Sequence, residues 1–178
     1  MSSTIRPGAI PGFTVAALTA ALFVSAAPMH AQSQGAASPY GQRALVLQGG
    51  QWHADLQGTV AAVRFELPVS RDSRWLLVPG LSYAHYSYVT ATRIDVLVPE
   101  AVIHLQLAHG PIRPFVGGGA GLALINVIHT VDPELLLEAG VRADLRSGWG
   151  MRVGLDARSF GRFEAGTVGW TFGMSRQF

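Results

Sequence analysis

From Arg43 to the C-terminus, apolar residues alternate with polar or small ones in segments of about ten to thirteen residues. A period of two is the mark of strands whose faces meet different surroundings. The pattern predicts eight strands: Arg43–Trp52, Gly58–Leu67, Arg74–Tyr86, Ile94–Leu107, Ile112–Leu124, Glu134–Leu145, Trp149–Phe160 and Thr167–Phe178. Pro68–Ser73, Ala108–Pro111 and Arg146–Gly148 hold the Pro, Gly, Ser or Asp that tight turns require. Their centres Asp72, Gly110 and Ser147 recur at 38 and 37 residues, a repeat of one hairpin. The other connections, His53–Gln57, Ser87–Arg93, Ile125–Pro133 and Gly161–Gly166, read as mostly longer.

The last segment defines the faces. Val168, Trp170, Phe172, Met174 and Phe178 share one parity, and Thr167, Gly169, Thr171, Gly173 and Ser175 the other. Elsewhere charges fall opposite the bulky residues. Arg64 and Glu66 oppose Val63 and Phe65, Glu100 opposes Leu97 and Ala101, and Arg113 opposes Val116. Glu138, Arg142 and Asp144 oppose Leu137 and Val141, and Arg152, Asp156 and Arg158 oppose Val153 and Leu155. These ten residues, five Arg and five acids, are predicted to line a barrel lumen as an ion-pair network. The first and third segments carry apolar residues on both parities and leave their faces open. Parity fits two closed architectures: a soluble barrel with the bulky face inward, or a membrane barrel with that face against lipid and short turns on the periplasmic side.

The N-terminus favours the second. Arg6 in a polar start, an apolar stretch from Phe13 to Val24 and small residues up to Ala31 form the three-part pattern of a secretory signal peptide. About a dozen apolar residues are short for a helical span of about 20. Cleavage is expected after Ala31, with residues 32–42 a flexible periplasmic tail and 43–178 the barrel. The rest of the 178-residue chain has no apolar run long enough for a spanning helix. With 21 Gly and 10 Pro it does not read as a helical bundle. Absence of Cys excludes disulfides and thiolate chemistry. The formal charge of +2 comes from scattered Arg, which makes no nucleic-acid footprint.

From Arg43 to Phe178 the chain resembles the small, eight-stranded bacterial outer-membrane β-barrel proteins. The resemblance rests on RPFVGGGAGLAL, Arg113 to Leu124, and on the ending GWTFGMSRQF. It implies an all-β, eight-stranded antiparallel up-and-down transmembrane barrel in the outer membrane, surrounded by lipid. It also implies that Trp170, Phe172, Met174 and Phe178 form the C-terminal signal for the barrel-assembly machinery. Arg176 departs from the usual apolar residue, though at the rim an Arg can reach the interface.

Chemistry is sparse. Gly117 to Gly121 lacks the Lys-Ser/Thr ending and following helix of a phosphate loop. It reads better as glycines making room for lumen side chains. His30, His53, His85, His104, His109 and His129 show no pair at metal-ligand spacing, so no metal or cofactor is expected. His85-Tyr86-Ser87 resembles the His-x-Ser of eight-stranded outer-membrane lipid A deacylases, which carry a Glu about a dozen residues later; Glu100 follows Ser87 by 13. In that reading Ser87 is the nucleophile, His85 the base and Glu100 its orienting partner. Tyr88 replaces the Asn of that family, and Glu100 lies on the lumen parity while His85 shares that of Leu81 and Tyr83. The expected function is therefore non-enzymatic: a membrane scaffold or loop-mediated binding protein with a side-chain-filled lumen, its small-molecule ligand unspecified. One alternative is passage of a small hydrophobic molecule near Tyr83, Tyr86 and Tyr88; the second is the esterase.

Overall fold

The computed structural model describes residues 43–178 except 55–56, 71, 73, 88–92, 127–129 and 162–164. The expected leader and tail lie outside the described residues. Eight strands follow one another: β1 (Ala44–His53), β2 (Gln57–Pro68), β3 (Trp75–Ser87), β4 (Arg93–Gln106), β5 (Ile112–Ile125), β6 (Thr130–Asp144), β7 (Trp149–Phe160) and β8 (Ala165–Gln177). Each pairs antiparallel with its sequence neighbour, and β8 pairs with β1 to close a barrel. At the seam Ala44 lies opposite Gln177 and His53 opposite Val168, so no strand edge is left for another chain to extend. Arg43, Phe178 and the turns 69–74, 107–111 and 145–148 share one end, the terminal rim; the other connections lie at the far rim.

Side chains alternate across the wall as the sequence predicts, with the bulky set outward. Leu137 is 69% exposed and Leu155 63%, while Arg64 and Arg152 are 2% exposed. A soluble barrel would have the reverse arrangement. So large an apolar outer surface is built for hydrocarbon, because a soluble monomer rarely exposes a continuous patch beyond a few hundred Å².

The strands left unassigned by parity place Ala44, Val46, Gln48 and Trp52 of β1 and Leu76, Val78, Ser82, Ala84 and Tyr86 of β3 inside. The ambiguity has a physical cause, since part of the lumen is itself apolar. Towards the far rim Trp52, Val60, Ala84, Tyr86, Val96, Val98 and Ala123 pack together, with Ile94, Ile125 and Phe160 against them. A second cluster joins Leu76, Val78, Val102 and Leu136.

Two expectations change. The strand β6 begins at Thr130 rather than Glu134 and runs through Pro133. Pro133 lies one residue beyond the last β6–β7 pair, Glu134 opposite Phe160, so the N–H it lacks has no ladder partner to serve. Its carbonyl still accepts from Gly161 N at 2.9 Å. Strand extension also shortens the far-rim connections to 54–56, 88–92, 126–129 and 161–164, which are no longer than the turns at the terminal rim. The expected contrast in loop length is therefore absent.

Local chemistry fixes the terminal turns. In 69–74 the Ser70 hydroxyl accepts from Trp75 N at 3.2 Å, and Asp72 accepts from Arg74 N at 3.3 Å. Hydrogen bonding from Ser70 and then from the Arg74 backbone holds the Asp72 carboxyl below its ordinary range. In 145–148 both Ser147 (φ 63°) and Gly148 (φ 75°) are left-handed, and Leu145 N donates to Trp149 O at 2.8 Å.

Leu155→Arg, in the middle of β7 on the outer face, is expected to cost about 2–4 kcal/mol in vesicle-based urea unfolding, while Leu155→Phe leaves stability within error.

Candidate functional site

The ten charged residues expected in the lumen form one alternating chain along the barrel axis. Near the far rim Arg158 Nε donates to Asp156 Oδ2 at 2.7 Å and its Nη1 to Glu100 Oε2 at 2.7 Å. Glu100 Oε1 takes Arg64 Nη2 at 2.6 Å, and Arg64 Nη1 reaches across to Glu138 Oε2 at 2.8 Å. Glu138 pairs next with Arg152, and Arg152 Nη1 meets Glu66 Oε1 at 3.5 Å. Glu66 pairs with Arg142, Arg142 Nε donates to Asp144 Oδ1 at 3.1 Å, and Asp144 pairs with Arg113 at the terminal rim. Each acid between the ends lies between two guanidiniums, which offsets the desolvation that a lone buried charge would suffer.

Side branches extend the chain. Glu134, the fifth residue of β6, accepts from Arg158 Nη1 at 2.6 Å; His104 Nε2 lies 3.1 Å from Glu138 Oε2; and Ser82 Oγ donates to Glu100 Oε1 at 2.8 Å. Glu134 escapes the sequence reading because the predicted strand starts on it. Arg158 stacks over Trp52 at 4.0 Å and Arg152 over Phe115 at 4.3 Å, joining the charged chain to its apolar neighbours. Glycines supply the space: a Cβ on Gly140 would lie 2.7 Å from the Phe115 ring, and one on Gly121 2.6 Å from Glu134 Oε2. A void of about 10 Å³ against Glu66, His104, Arg113 and Phe115 has room for about one water molecule.

A different constellation lies on the outside of the wall at the far rim. The β3–β4 register puts His85 directly opposite Asp95. His85 Nδ1 lies 2.7 Å from Asp95 Oδ1, and Ser87 Oγ lies 3.2 Å from His85 Nε2. The His85 and Asp95 side chains are about one third exposed. With its proton on Nδ1, His85 donates to Asp95 and presents Nε2 to accept from the Ser87 hydroxyl, the tautomer a general base needs. Tyr83 OH donates to Asp95 Oδ1 at 2.6 Å and Asn126 Nδ2 to Asp95 Oδ2 at 3.0 Å. An open groove of about 380 Å³ begins at Tyr83 and Asp95 and runs over Leu97, Leu124 and Val131.

Glu100 is not part of this group. Strand alternation points it into the lumen, bonded to Arg64, Arg158 and Ser82, so the wall separates it from His85. Asp95 stands in its place. It carries a legible signal, a charge on the outward parity of Leu97 and Ala101 across one hairpin from His85. Asn126 gives no such signal, because its contact with Asp95 spans 31 residues. The tyrosine region divides between two faces: Tyr83 is outward, Tyr86 is inward in the apolar cluster, and Tyr88 lies outside the described residues. His129 also lies outside them, and among the described residues no three His, Asp or Glu gather as metal ligands. In the C-terminal strand Trp170, Phe172, Met174 and Phe178 are 40–60% exposed on the outer face. Arg176 donates to Ser147 O and stacks over Trp149 at 5.3 Å.

No family model and no curated protein matches the sequence. Solved structures do match its shape. Neisserial surface protein A superposes with a TM-score of 0.62 at 10% identity, covering 76% of this chain and 96% of that one. The outer membrane enzyme PagL gives 0.55 at 15% identity over 76% and 99%. The N-terminal β-barrel domain of Pseudomonas aeruginosa OprF gives 0.52 at 15% over 78% and 99%. The chain thus has the fold of the small eight-stranded outer-membrane β-barrels. At these identities the likeness is one of architecture.

Glu138 contacts Arg64, Arg152 and His104, so Glu138→Ala is expected to cost about 3–5 kcal/mol by stranding buried arginines. The readout is the temperature at which the folded band converts to the unfolded one on gels. A conversion temperature equal to wild type would show that the network carries no stability there.

Proposed function

We propose that the protein works in a bacterial outer membrane as a barrel without a pore, its terminal rim towards the periplasm and its outer wall and far rim as the working surfaces. The alternating chain of buried ion pairs carries this reading, because it occupies the axis along which solutes would pass. The surrounding lipid meets Trp170 and Phe172, and the terminal Phe178 with the apolar face of β8 serves as the segment read by the assembly machinery. The protein reconstituted in planar bilayers is expected to give no stable conductance. Large, steady single-channel steps would overturn the reading. Fractionation with the outer membrane, together with heat-modifiable gel migration, tests the location.

One observation favours a second reading, an esterase acting on acyl lipids of the leaflet at the far rim: the 3.2 and 2.7 Å contacts that link Ser87, His85 and Asp95. Ser87 Oγ would attack the ester carbonyl as His85 Nε2 takes its proton; the alcohol would leave with that proton, and water would then release the acyl group. The apolar groove beginning at Asp95 offers the acyl chain a bed beside the reacting atoms. PagL supports the reading only to the extent that an outer membrane enzyme exists on this fold. A fluorophosphonate probe is expected to label the wild-type barrel at Ser87, Ser87→Ala to lose the label, and His85→Ala to react at least 100-fold more slowly. A wild-type Ser87 that stays unlabelled ends this reading and leaves the first intact.

A further inference from the structure

We infer that Asn126, assisted by Tyr83, is the positioning residue that fixes the Asp95 carboxylate against His85; the inference rests on the esterase reading. Asn126 is the first residue after β5, and it contacts Asp95 three times. Its Nδ2 donates to Asp95 Oδ2 at 3.0 Å, its Oδ1 accepts from Asp95 N at 2.9 Å, and its backbone N donates to Asp95 O at 3.1 Å.

This pattern divides the two carboxylate oxygens. Oδ1 takes His85 Nδ1 at 2.7 Å and Tyr83 OH at 2.6 Å; Oδ2 takes the Asn126 amide. The terminal torsion of an aspartate is broad and nearly two-fold, so it does not hold a carboxylate plane by itself. Donors from three directions do hold it, and they leave Oδ1 facing the imidazole. The His85 ring is fixed in turn, with Nε2 towards Ser87. The β4–β5 ladder already pairs Val96 with Ile125 and Leu97 with Leu124. A bond to the Asp95 backbone alone would suffice to end it. The additional contact from the amide nitrogen to the carboxylate has no role in that ladder and serves the orientation of Asp95.

The test uses the full barrel, refolded in detergent, with a fluorophosphonate as probe. Asn126→Asp keeps shape and volume but replaces the Nδ2 donor with an acceptor; Tyr83→Phe removes only the hydroxyl; Asn126→Ala removes the whole amide. Asn126→Asp and Asn126→Ala are expected to lower the maximal rate of Ser87 labelling about 10- to 100-fold, with the probe's half-saturation concentration unchanged. Tyr83→Phe is expected to have a smaller effect in the same sense. A low-field proton resonance of His85 Nδ1–H is expected in wild type and should broaden or vanish in both Asn126 variants while the heat-modifiable gel shift stays as in wild type. Labelling and resonance at wild-type level in Asn126→Asp would make Asn126 a strand cap only and overturn the inference, leaving the esterase reading in place. An unlabelled wild type would remove both. If Asn126→Ala fails to fold, the isosteric Asp variant and Tyr83→Phe still decide.

Discussion

Charges can be kept inside so narrow a cylinder only when each has its counter-charge within reach, and this requirement organises the barrel. Facing outward, an arginine at mid-depth would cost about 2–4 kcal/mol; facing inward without a partner, it would lose its hydration and gain nothing. The alternation of guanidinium and carboxylate from Asp156 to Arg113 meets both conditions. The glycines on β5 and β6 follow from it, since long side chains crossing the lumen need facing positions with no side chain. The aromatic rings of Trp52 and Phe115 follow as well, because they let the guanidinium faces lie against apolar surface.

How much of this could be read in advance depended on whether the two faces of a strand differ in polarity. In β6, β7 and β8 they differ at nearly every position, so alternation shows strand and face together, and in β6 and β7 the lumen charges as well. In β1 and β3 the inward residues, apart from Gln48, Ser82 and the glycines, are Ala, Val, Leu, Trp and Tyr, as apolar as the outward ones, because part of the lumen is itself apolar. Period-2 reasoning loses its contrast there. Proline misled at the start of β6, where Pro133 stands at a position with no ladder bond to lose.

The rim constellation was half legible for a related reason. His85 and Ser87 lie two residues apart on one strand face, so sequence brings them together. The acid follows from register, and register set Asp95 opposite His85 while parity sent Glu100 through the wall. Asn126 meets Asp95 from a neighbouring hairpin, a proximity created only by closing the sheet. The same wall thus holds two unlike polar groups, a buried chain across the lumen and a partly exposed trio on the outer face at the far rim.

Several of the buried ties join strands that are not neighbours in the sheet. Arg64 on β2 grips Glu138 on β6, and Glu66 on β2 grips Arg142 on β6 and Arg152 on β7. No isolated hairpin can form such a tie. The strands at the seam, β8 and β1, contribute none of these charges; inside, β8 presents Thr, Gly and Ser and β1 presents Ala44, Val46, Gln48 and Trp52, with Gln48 and Thr171 in contact at 3.4 Å. A flat run of hairpins can pair along its backbone without these ties, while the diagonal bracing across the bore needs the sheet to curl until β2 faces β6 and β7. Assembly built this way is late-locking: a half-wound sheet stays pliable, and rigidity arrives with the ring.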